Sequence, residues 1–332
     1  MHFSFIAFTF IFLSCYAYSD IRWDSWMEDN FQFLENRTLF EVMIPGTHDS
    51  GSFELTSEIC PSGSEEIARW KNIASAVGIN VVKIIQYWGK SQSISILEQL
   101  NQGIRHLDLR AMWKDNSWYT HHALIGIKIE TILDEIVSFM NSKSSEILIL
   151  EVGHTDVSAS GYDNNDLLQL IETKLNTWLV PKNTNLKTLT FGQMRKTNKR
   201  IICNFDNAYS AADFSLIYYI HDMMNGRYAN TDDIHTMNNH NQLLFSEKND
   251  YQIMEMSWTL TPSTKVIMDG IAVWNPQNLL QLAAKANQYF NDFYNFNKNQ
   301  FAGIIIASDN FQTGSFRENC VNFIQTLGHK SL

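Results

Sequence analysis

The sequence predicts a single (β/α) TIM-type barrel of irregular form with mainly parallel strands, and three observations support this fold class. Strand-like and helix-like segments alternate along the chain, without an internal repeat or a low-complexity linker. Several strand-like segments are continuous apolar runs, which are typical of parallel strands covered on both faces. The chain has 332 residues, 45% of them hydrophobic, and α/β barrels of about 250 residues or more form single domains.

Seven segments are predicted to be strands because apolar residues dominate short runs that end at turn-forming residues. They begin at Glu41, Ile104, Trp118, Glu146, Lys199, Tyr251 and Ala302.

The predicted helices have recognisable ends. Ser95 is expected to cap one of them, with Glu98 as the reciprocal residue of a capping box and Gly103 just past the C-terminus. A second helix runs from about Asn165 to Leu179 before Pro181, and a third opens with Pro276 in its first turn.

The first twenty residues differ in composition from the rest of the chain. An apolar run from Phe3 to Leu13 is followed by small residues up to Ser19, which predicts a signal peptide over residues 1–19. The run is too short for a membrane-spanning helix. We therefore expect residues 20–332 to form one catalytic barrel, secreted or held in the secretory-pathway lumen, with no transmembrane anchor.

The charge balance argues against a nucleic-acid partner. Lys and Arg total 25 against 35 Asp and Glu, which gives a net charge of -10. A phosphate backbone would be repelled by this charge, because the sequence contains no extended basic cluster.

Polar residues follow the predicted strands at their carboxyl ends. In a β/α barrel these ends share one face, so residues distant in sequence converge on one pocket. The residues so placed are His48, Asp49, Asp108, Arg110, His122, Glu151, His154 and Asp309.

Two histidines, an arginine and several carboxylates suit cleavage of a phosphodiester. A neutral imidazole can take a proton from an attacking hydroxyl while a protonated imidazole gives one to the leaving oxygen. The planar guanidinium of Arg110 suits two phosphate oxygens and offsets charge in the transition state. Carboxylates beside the imidazoles would fix their tautomers.

The motifs that contain these residues resemble those of the phosphatidylinositol-specific phospholipase C X-domain family, especially its stand-alone and bacterial-type members. Their order along the chain is also similar to that of the family. The motifs are MIPGTHDSG, GIRHLDLR, THHA, SWTLTPS and IIASDNF.

The resemblance implies a role for each matching residue. His48 would be the general base, oriented by Asp309, and His122 would be the general acid, supported by Asp49. Arg110 would hold the phosphate. Asp108 would help to position Arg110, and Glu151 and Trp258 would contact the substrate.

The implied substrate is phosphatidylinositol, or a glycosylated form of it, at a membrane surface, and the implied products are diacylglycerol and an inositol cyclic phosphate. We expect a monomer. No cofactor is expected, because Arg110 stands where the calcium-dependent branch of the family has an acidic residue. Two alternatives stay open. One is a calcium-dependent enzyme that uses Asp108 and Glu151. The other is a catalytically weak or silent lipid-binding protein.

Overall fold

The structure is a computed structural model that describes residues 21–61, 80–156, 163–272 and 276–328, together with 68, 71, 74 and 78. The signal peptide expected over residues 1–19 lies outside the described residues and stays a prediction. Within the described part of the chain, no helix is long and apolar enough to cross a membrane.

Ten strands of the described chain join in one sheet. Hydrogen bonds connect eight of them in the order β7-β6-β5-β2-β1-β10-β9-β8, and every neighbouring pair on this path is parallel. The strands are β1 (Met43–Thr47), β2 (His106–Lys114), β3 (Ser117–His122), β4 (Leu124–Lys128), β5 (Leu148–Asp156), β6 (Ile201–Phe205), β7 (Ile217–Tyr219), β8 (Met224–Arg227), β9 (Ile253–Trp258) and β10 (Ile304–Ser308).

The predicted irregular barrel with mainly parallel strands is confirmed, but the barrel is incomplete. Among the described residues no bridge joins β7 to β8, so the curled sheet is open along one seam. The prediction missed β4, β7 and β8. β7 and β8 have three and four residues, which is too short a pattern to read.

Helices surround the sheet. They are α1 (Trp26–Asp29), α2 (Phe31–Leu34), α3 (Val81–Trp88), α4 (Ile96–Asn101), α5 (Ile129–Ser142), α6 (Asn165–Leu175), α7 (Phe191–Thr197), α8 (Ala208–Ala212), α9 (Ile220–Met223), α10 (Ile234–Glu247), α11 (Thr264–Ile271), α12 (Leu279–Asn287), α13 (Phe290–Asn297) and α14 (Phe316–Thr326).

The ends of two helices test the sequence predictions. The capping box at the start of α4 is confirmed, because Ser95 and Glu98 each accept the backbone N–H of the other. The start predicted at Pro276 is wrong. Asn278 caps α12 by accepting the N–H of Gln281, so the helix begins three residues after the proline.

A β-hairpin distinguishes this sheet from a regular barrel. β2 continues past the sheet edge and pairs antiparallel with β3, which pairs in turn with β4. The sequence suggested that His122 ends a parallel strand. It instead reaches the carboxyl face because β3 runs back toward the barrel from the tip of the hairpin.

Alternate residues of the strands enter two separate hydrophobic cores. Ile44, Ile149 and Ile305 face the barrel interior, where they form a cluster with Trp26. Their neighbours, such as Met43 and Leu148, face outward and join the cluster beneath the helices. The apolar interior occupies the lower part of the barrel and leaves its carboxyl end to polar side chains.

Candidate functional site

The turn after β1 directs two polar side chains into the carboxyl end of the barrel. Asp49 has a positive φ of 43°, a conformation that turns the chain sharply directly after His48. Two bonds to β2 hold this turn: the N–H of Asp49 donates to Asp108 Oδ2 at 2.9 Å, and the N–H of Ser50 donates to the Asp108 carbonyl at 2.7 Å. Asp108 therefore positions the backbone of Asp49, and Asp49 in turn forms the ion pair with Arg110.

His48 is held from β10. Its Nδ1 lies 2.8 Å from Asp309 Oδ1, on the residue that follows the strand. The buried amide of Gln92 donates to the carbonyls of both His48 and Ser308, at 3.0 and 2.8 Å. Gln92 was not predicted as a site residue, although it fixes the ends of β1 and β10 together.

Arg110 completes the cluster from β2. Its Nε forms an ion pair with Asp49 Oδ1, and its Nη2 lies 3.2 Å from His48 Nε2. A guanidinium can only donate, so the second contact is a hydrogen bond when His48 Nε2 carries no proton. Arg110 is half-buried and faces the same cleft as both predicted catalytic histidines.

His122, at the end of β3, approaches Asp49 from the hairpin. Its Nδ1 donates to the carbonyl of Gly89, the C-cap residue of α3, at 2.7 Å. Because that acceptor fixes a proton on Nδ1, Nε2 is the nitrogen available to a substrate. The Nε2 atoms of His122 and His48 each lie 3.6 Å from the same oxygen, Asp49 Oδ2.

Burial and close charges alter the ionisation of these groups. Burial opposes the charge on His48, but Asp49 and Asp309 outweigh it and raise the pKa of His48 to about 10. Burial likewise opposes ionisation of Asp49, whose pKa is nevertheless lowered by Arg110, His48 and His122. The lowered pKa keeps Asp49 ionised beside the Arg110 guanidinium and the two imidazoles.

Polar and apolar side chains both line the cleft, whose volume is about 180 Å³. The polar groups include those of His48, Arg110, His122 and Asp309. The apolar side chains include those of Ile85, Trp88, Leu260 and Leu279.

The predicted substrate contact of Trp258 is wrong. Trp258 is 0% exposed and faces outward from β9, where its ring centroid lies 5.0 Å from that of Phe290 and 5.1 Å from that of Phe293. The residues that follow it, Thr259–Pro262, line the cleft instead. The SWTLTPS segment thus reaches the site through its second half.

Glu151 lies one layer deeper than the catalytic groups. Its Oε2 is 3.1 Å from Nε2 of the fully buried His106. Burial and the nearby carboxylates Asp108 and Asp206 raise the pKa of Glu151 well above its usual value. Glu255 also belongs to this layer and was missed. The sequence signal for Glu255 was a single glutamate in the strand IMEMSW, which is otherwise largely apolar.

The remaining histidines have structural or surface positions. His121 donates from Nε2 to the carbonyl of His154 at 2.9 Å, which leaves His122 as the member of the adjacent pair that faces the cleft. His106 is buried, whereas His154 and His221 are exposed.

One group of described residues has the spacing of metal ligands. Ligand atoms of His48, Asp49 and Asp108 lie within 4.8 Å of one another. Arg110 forms an ion pair with Asp49 at the same place, and its positive charge favours an anion over a second cation there.

Comparisons with known proteins agree with this architecture. Residues 79–204 match the family described as phosphatidylinositol-specific phospholipase C, X domain. PI-PLC X domain-containing protein 3 of Mus musculus is 30% identical over 158 residues, which are 46% of this chain and 49% of that protein. PI-PLC X domain-containing protein 2 of Homo sapiens is 36% identical over 134 residues, which are 39% of this chain and 43% of that protein.

The chain spans about half the length of the curated relatives that it matches. Among solved structures, the phosphatidylinositol-specific phospholipase C from Listeria monocytogenes superposes with a TM-score of 0.62 at 17% identity, covering 91% of this chain and 99% of that one. This likeness shows a shared fold. Together these matches confirm the resemblance seen in the sequence: residues 79–204 match the X-domain family model, and the chain shares the fold of a bacterial phosphatidylinositol-specific phospholipase C.

Proposed function

We propose that this protein is a phosphodiesterase that cleaves phosphatidylinositol-type lipids, by metal-independent acid–base catalysis, into diacylglycerol and an inositol cyclic phosphate. The observation that carries the proposal is the placement of two imidazoles about one anion. His48 and His122 present Nε2 to the same oxygen of Asp49, and Arg110 lies beside them. The Nδ1 atom of His48 is hydrogen-bonded to the Asp309 carboxylate, and the Nδ1 atom of His122 is hydrogen-bonded to the Gly89 carbonyl.

Each step follows from these positions. His48 Nε2 takes the proton of the ring hydroxyl next to the phosphate, and that oxygen forms a bond to phosphorus. The bond from phosphorus to the glycerol oxygen breaks, and His122, as the imidazolium, gives that oxygen its Nε2 proton. Arg110 offsets the charge on the equatorial oxygens, and each proton transfer contributes about 10²- to 10⁴-fold in rate.

The test uses phosphatidylinositol vesicles with and without a chelator, and it resolves cyclic from acyclic products. We expect the cyclic phosphate to form in both conditions and to disappear with His48→Ala and with His122→Ala. His221→Ala is the matched control, because this histidine is exposed. Full activity of either catalytic variant would refute the proposed roles.

The same assay separates the alternatives. The calcium-dependent reaction that uses Asp108 and Glu151 is the second candidate, because ligand atoms of Asp108, His48 and Asp49 lie within 4.8 Å of one another. Activity that is abolished by chelation and restored by calcium would select it. Vesicle binding without turnover would select a silent lipid-binding protein.

A further inference from the structure

A short segment after α3, residues 89–92, is bonded to the elements that carry both proposed catalytic histidines. Gly89 is the C-cap residue of α3, and its carbonyl accepts the Nδ1 proton of His122 at 2.7 Å. Ser91 and Gln92 are both 0% exposed, and they bond to the turns after β1 and β10. The segment can therefore set the positions of groups on three different strands.

The backbone on each side of Asp309 is attached to this segment. The side-chain amide of Gln92 donates to the Ser308 carbonyl at 2.8 Å. The N–H of Asn310 donates to the Ser91 carbonyl, also at 2.8 Å. Two hydrogen bonds thus hold the residues before and after Asp309, so a movement of the segment would carry the Asp309 carboxylate with it.

The same Gln92 amide also holds His48, because it donates to the His48 carbonyl at 3.0 Å. The register pairs of β1 and β10 end at Thr47 and Ser308. One further backbone bond follows, from the His48 N–H to the Ser308 carbonyl at 3.1 Å. His48 and Asp309 therefore lie one residue beyond the paired strands, and Gln92 links the two strand ends at that point.

The orientation of the Gln92 amide follows from its two partners. Both are carbonyl oxygens, which only accept hydrogen bonds, so the NH₂ group must face them. The Oε1 atom of Gln92 is buried and has no hydrogen-bond partner within the described part of the chain. An apolar side chain of the same size would avoid this unpaired oxygen, so packing alone gives no reason for an amide here. Gln92 acts at this position through its two donors.

We infer that Gln92 is a positioning residue: the two hydrogen bonds of its amide set the separation of His48 Nδ1 and the Asp309 carboxylate. The inference rests on the proposed function, in which Asp309 orients His48 as the general base. The two atoms of this pair lie 2.8 Å apart. A misplacement near 1 Å would break their contact and can cost about 10²-fold in rate. Because it changes the orientation of the base and not the affinity for the lipid, kcat should change more than KM.

The first test needs no substrate. Gln92→Met keeps the approximate volume of the side chain and removes both donors. The proton on His48 Nδ1, hydrogen-bonded to a carboxylate, gives a far-downfield proton NMR signal, which its absence in His48→Gln assigns. We expect this signal to move upfield or disappear in Gln92→Met. Asn297→Leu is the matched control, because the buried Asn297 amide donates to the Phe293 carbonyl at 3.0 Å within α13. This control should leave the signal unchanged.

Kinetics with phosphatidylinositol vesicles provide the second test. In Gln92→Met, kcat should fall about tenfold to a hundredfold while KM stays within a few-fold of wild type. The double variant Gln92→Met/Asp309→Asn should be hardly slower than Asp309→Asn alone, because two residues that act through one contact do not have additive effects. Losses of the two single variants that simply multiply in the double variant would overturn the inference.

The two tests separate this inference from the proposed function. A wild-type protein that cleaves no phosphatidylinositol would refute the proposed function, and the NMR signal would still decide the role of Gln92. A folded Gln92→Met protein with an unchanged His48 signal would overturn the inference. If Gln92→Met does not fold, Gln92→Asn replaces it, because its shorter side chain withdraws the amide from both carbonyls and should change the signal in the same way. Failure of both variants to fold would make Gln92 a residue of the fold alone and would also overturn the inference.

Discussion

His48 and His122 both direct Nε2 toward Asp49, but their Nδ1 atoms face acceptors of different charge. The partner of His48 Nδ1 is the carboxylate of Asp309, whereas the partner of His122 Nδ1 is a neutral carbonyl. A carboxylate stabilises an imidazolium more strongly than a carbonyl does. The pKa of His48 is raised to about 10, so the free protein holds a proton on His48, and activity should rise with pH as His48 loses that proton.

The raised pKa of His48 predicts a pH-dependent contribution to stability. Its folded-state pKa of about 10 exceeds the reference value of 6.5, so the folded chain holds this proton more tightly than the unfolded chain. The contribution is fully present below about pH 6.5 and is lost as pH rises through about 10. We expect the difference in Tm between wild type and His48→Gln to fall from pH 6.5 to pH 10. A constant difference would contradict this expectation.

Asp309→Asn tests the orientation of the general base. The amide can still accept a hydrogen bond from His48 Nδ1, but it removes the negative charge that steadies the imidazolium formed during catalysis. We expect kcat to fall about 10²-fold or more with the Tm within a few degrees of wild type. Asp292→Asn, at an exposed site on α13, is the control. Unchanged kcat would leave Asp309 as a structural turn residue.

The direction of a side chain within its strand explains which residue positions were predicted correctly from the sequence and which were not. Residues that follow a strand, such as Asp49 and Asp309, were correctly placed at the carboxyl face because parallel strands end there. Trp258 was misplaced because a motif carries no information about which sheet face a residue occupies. Side chains alternate along β9, and Glu255 faces the barrel interior, so Trp258, three residues later, faces the surrounding helices.

The hairpin and α3 bring His122 to the cleft, and only part of this arrangement could be predicted. The strand around His122 was expected from its composition, but its antiparallel pairing depends on the tight turn at Asp115 and Asn116, both at positive φ. The contact with Gly89 joins segments 33 residues apart. Such contacts depend on packing of whole elements and leave no local pattern in the sequence.

Gly89→Ala should impair catalysis through His122. An added Cβ would lie 2.9 Å from the Ile85 carbonyl and 3.3 Å from the His122 carbonyl, so the end of α3 or the hairpin must shift. A misplacement near 1 Å can cost about 10²-fold in rate. We expect kcat to fall by about tenfold to a hundredfold while KM changes little.

The control for Gly89→Ala is Gly78→Ala, whose added Cβ meets no atom within 4 Å but whose φ of 68° is unfavourable for alanine. This control should lower Tm and leave kcat unchanged. If both variants lost only stability, the Gly89 carbonyl would have no role in orienting His122.

The barrel divides along its axis into an apolar floor and a polar upper part. Ile44, Ile149, Ile202 and Ile305 fill the floor, and the carboxyl groups and histidines lie above them. Apolar burial at about 25 cal/mol per Å² stabilises the lower part, so the upper part can contain buried charges that oppose one another. The sequence predicted this division in outline, through apolar strand starts and polar strand ends.

A buried ion pair connects the first described segment of the chain to the barrel floor. Arg105 donates from Nε and Nη2 to Glu146 Oε2 at 2.8 and 2.6 Å, and from Nη2 to the carbonyls of Trp23 and Asp24. Glu146 also accepts the N–H of Glu28 at 3.0 Å. Arg105 and Glu146 are 0% and 1% exposed, so each charge depends on the other for compensation.

Glu146→Ala should therefore destabilise the whole fold without altering the chemistry. It leaves the Arg105 guanidinium buried without its carboxylate, which costs about 3 to 5 kcal/mol of unfolding free energy. Urea denaturation measures this loss, and kcat of the folded fraction should match wild type. The double variant Arg105→Met/Glu146→Leu removes both charges and should recover much of the stability, because the two apolar side chains suit the surrounding core. A loss below about 1 kcal/mol in Glu146→Ala, or a double variant as unstable as the single one, would contradict a charge-compensation role for the pair.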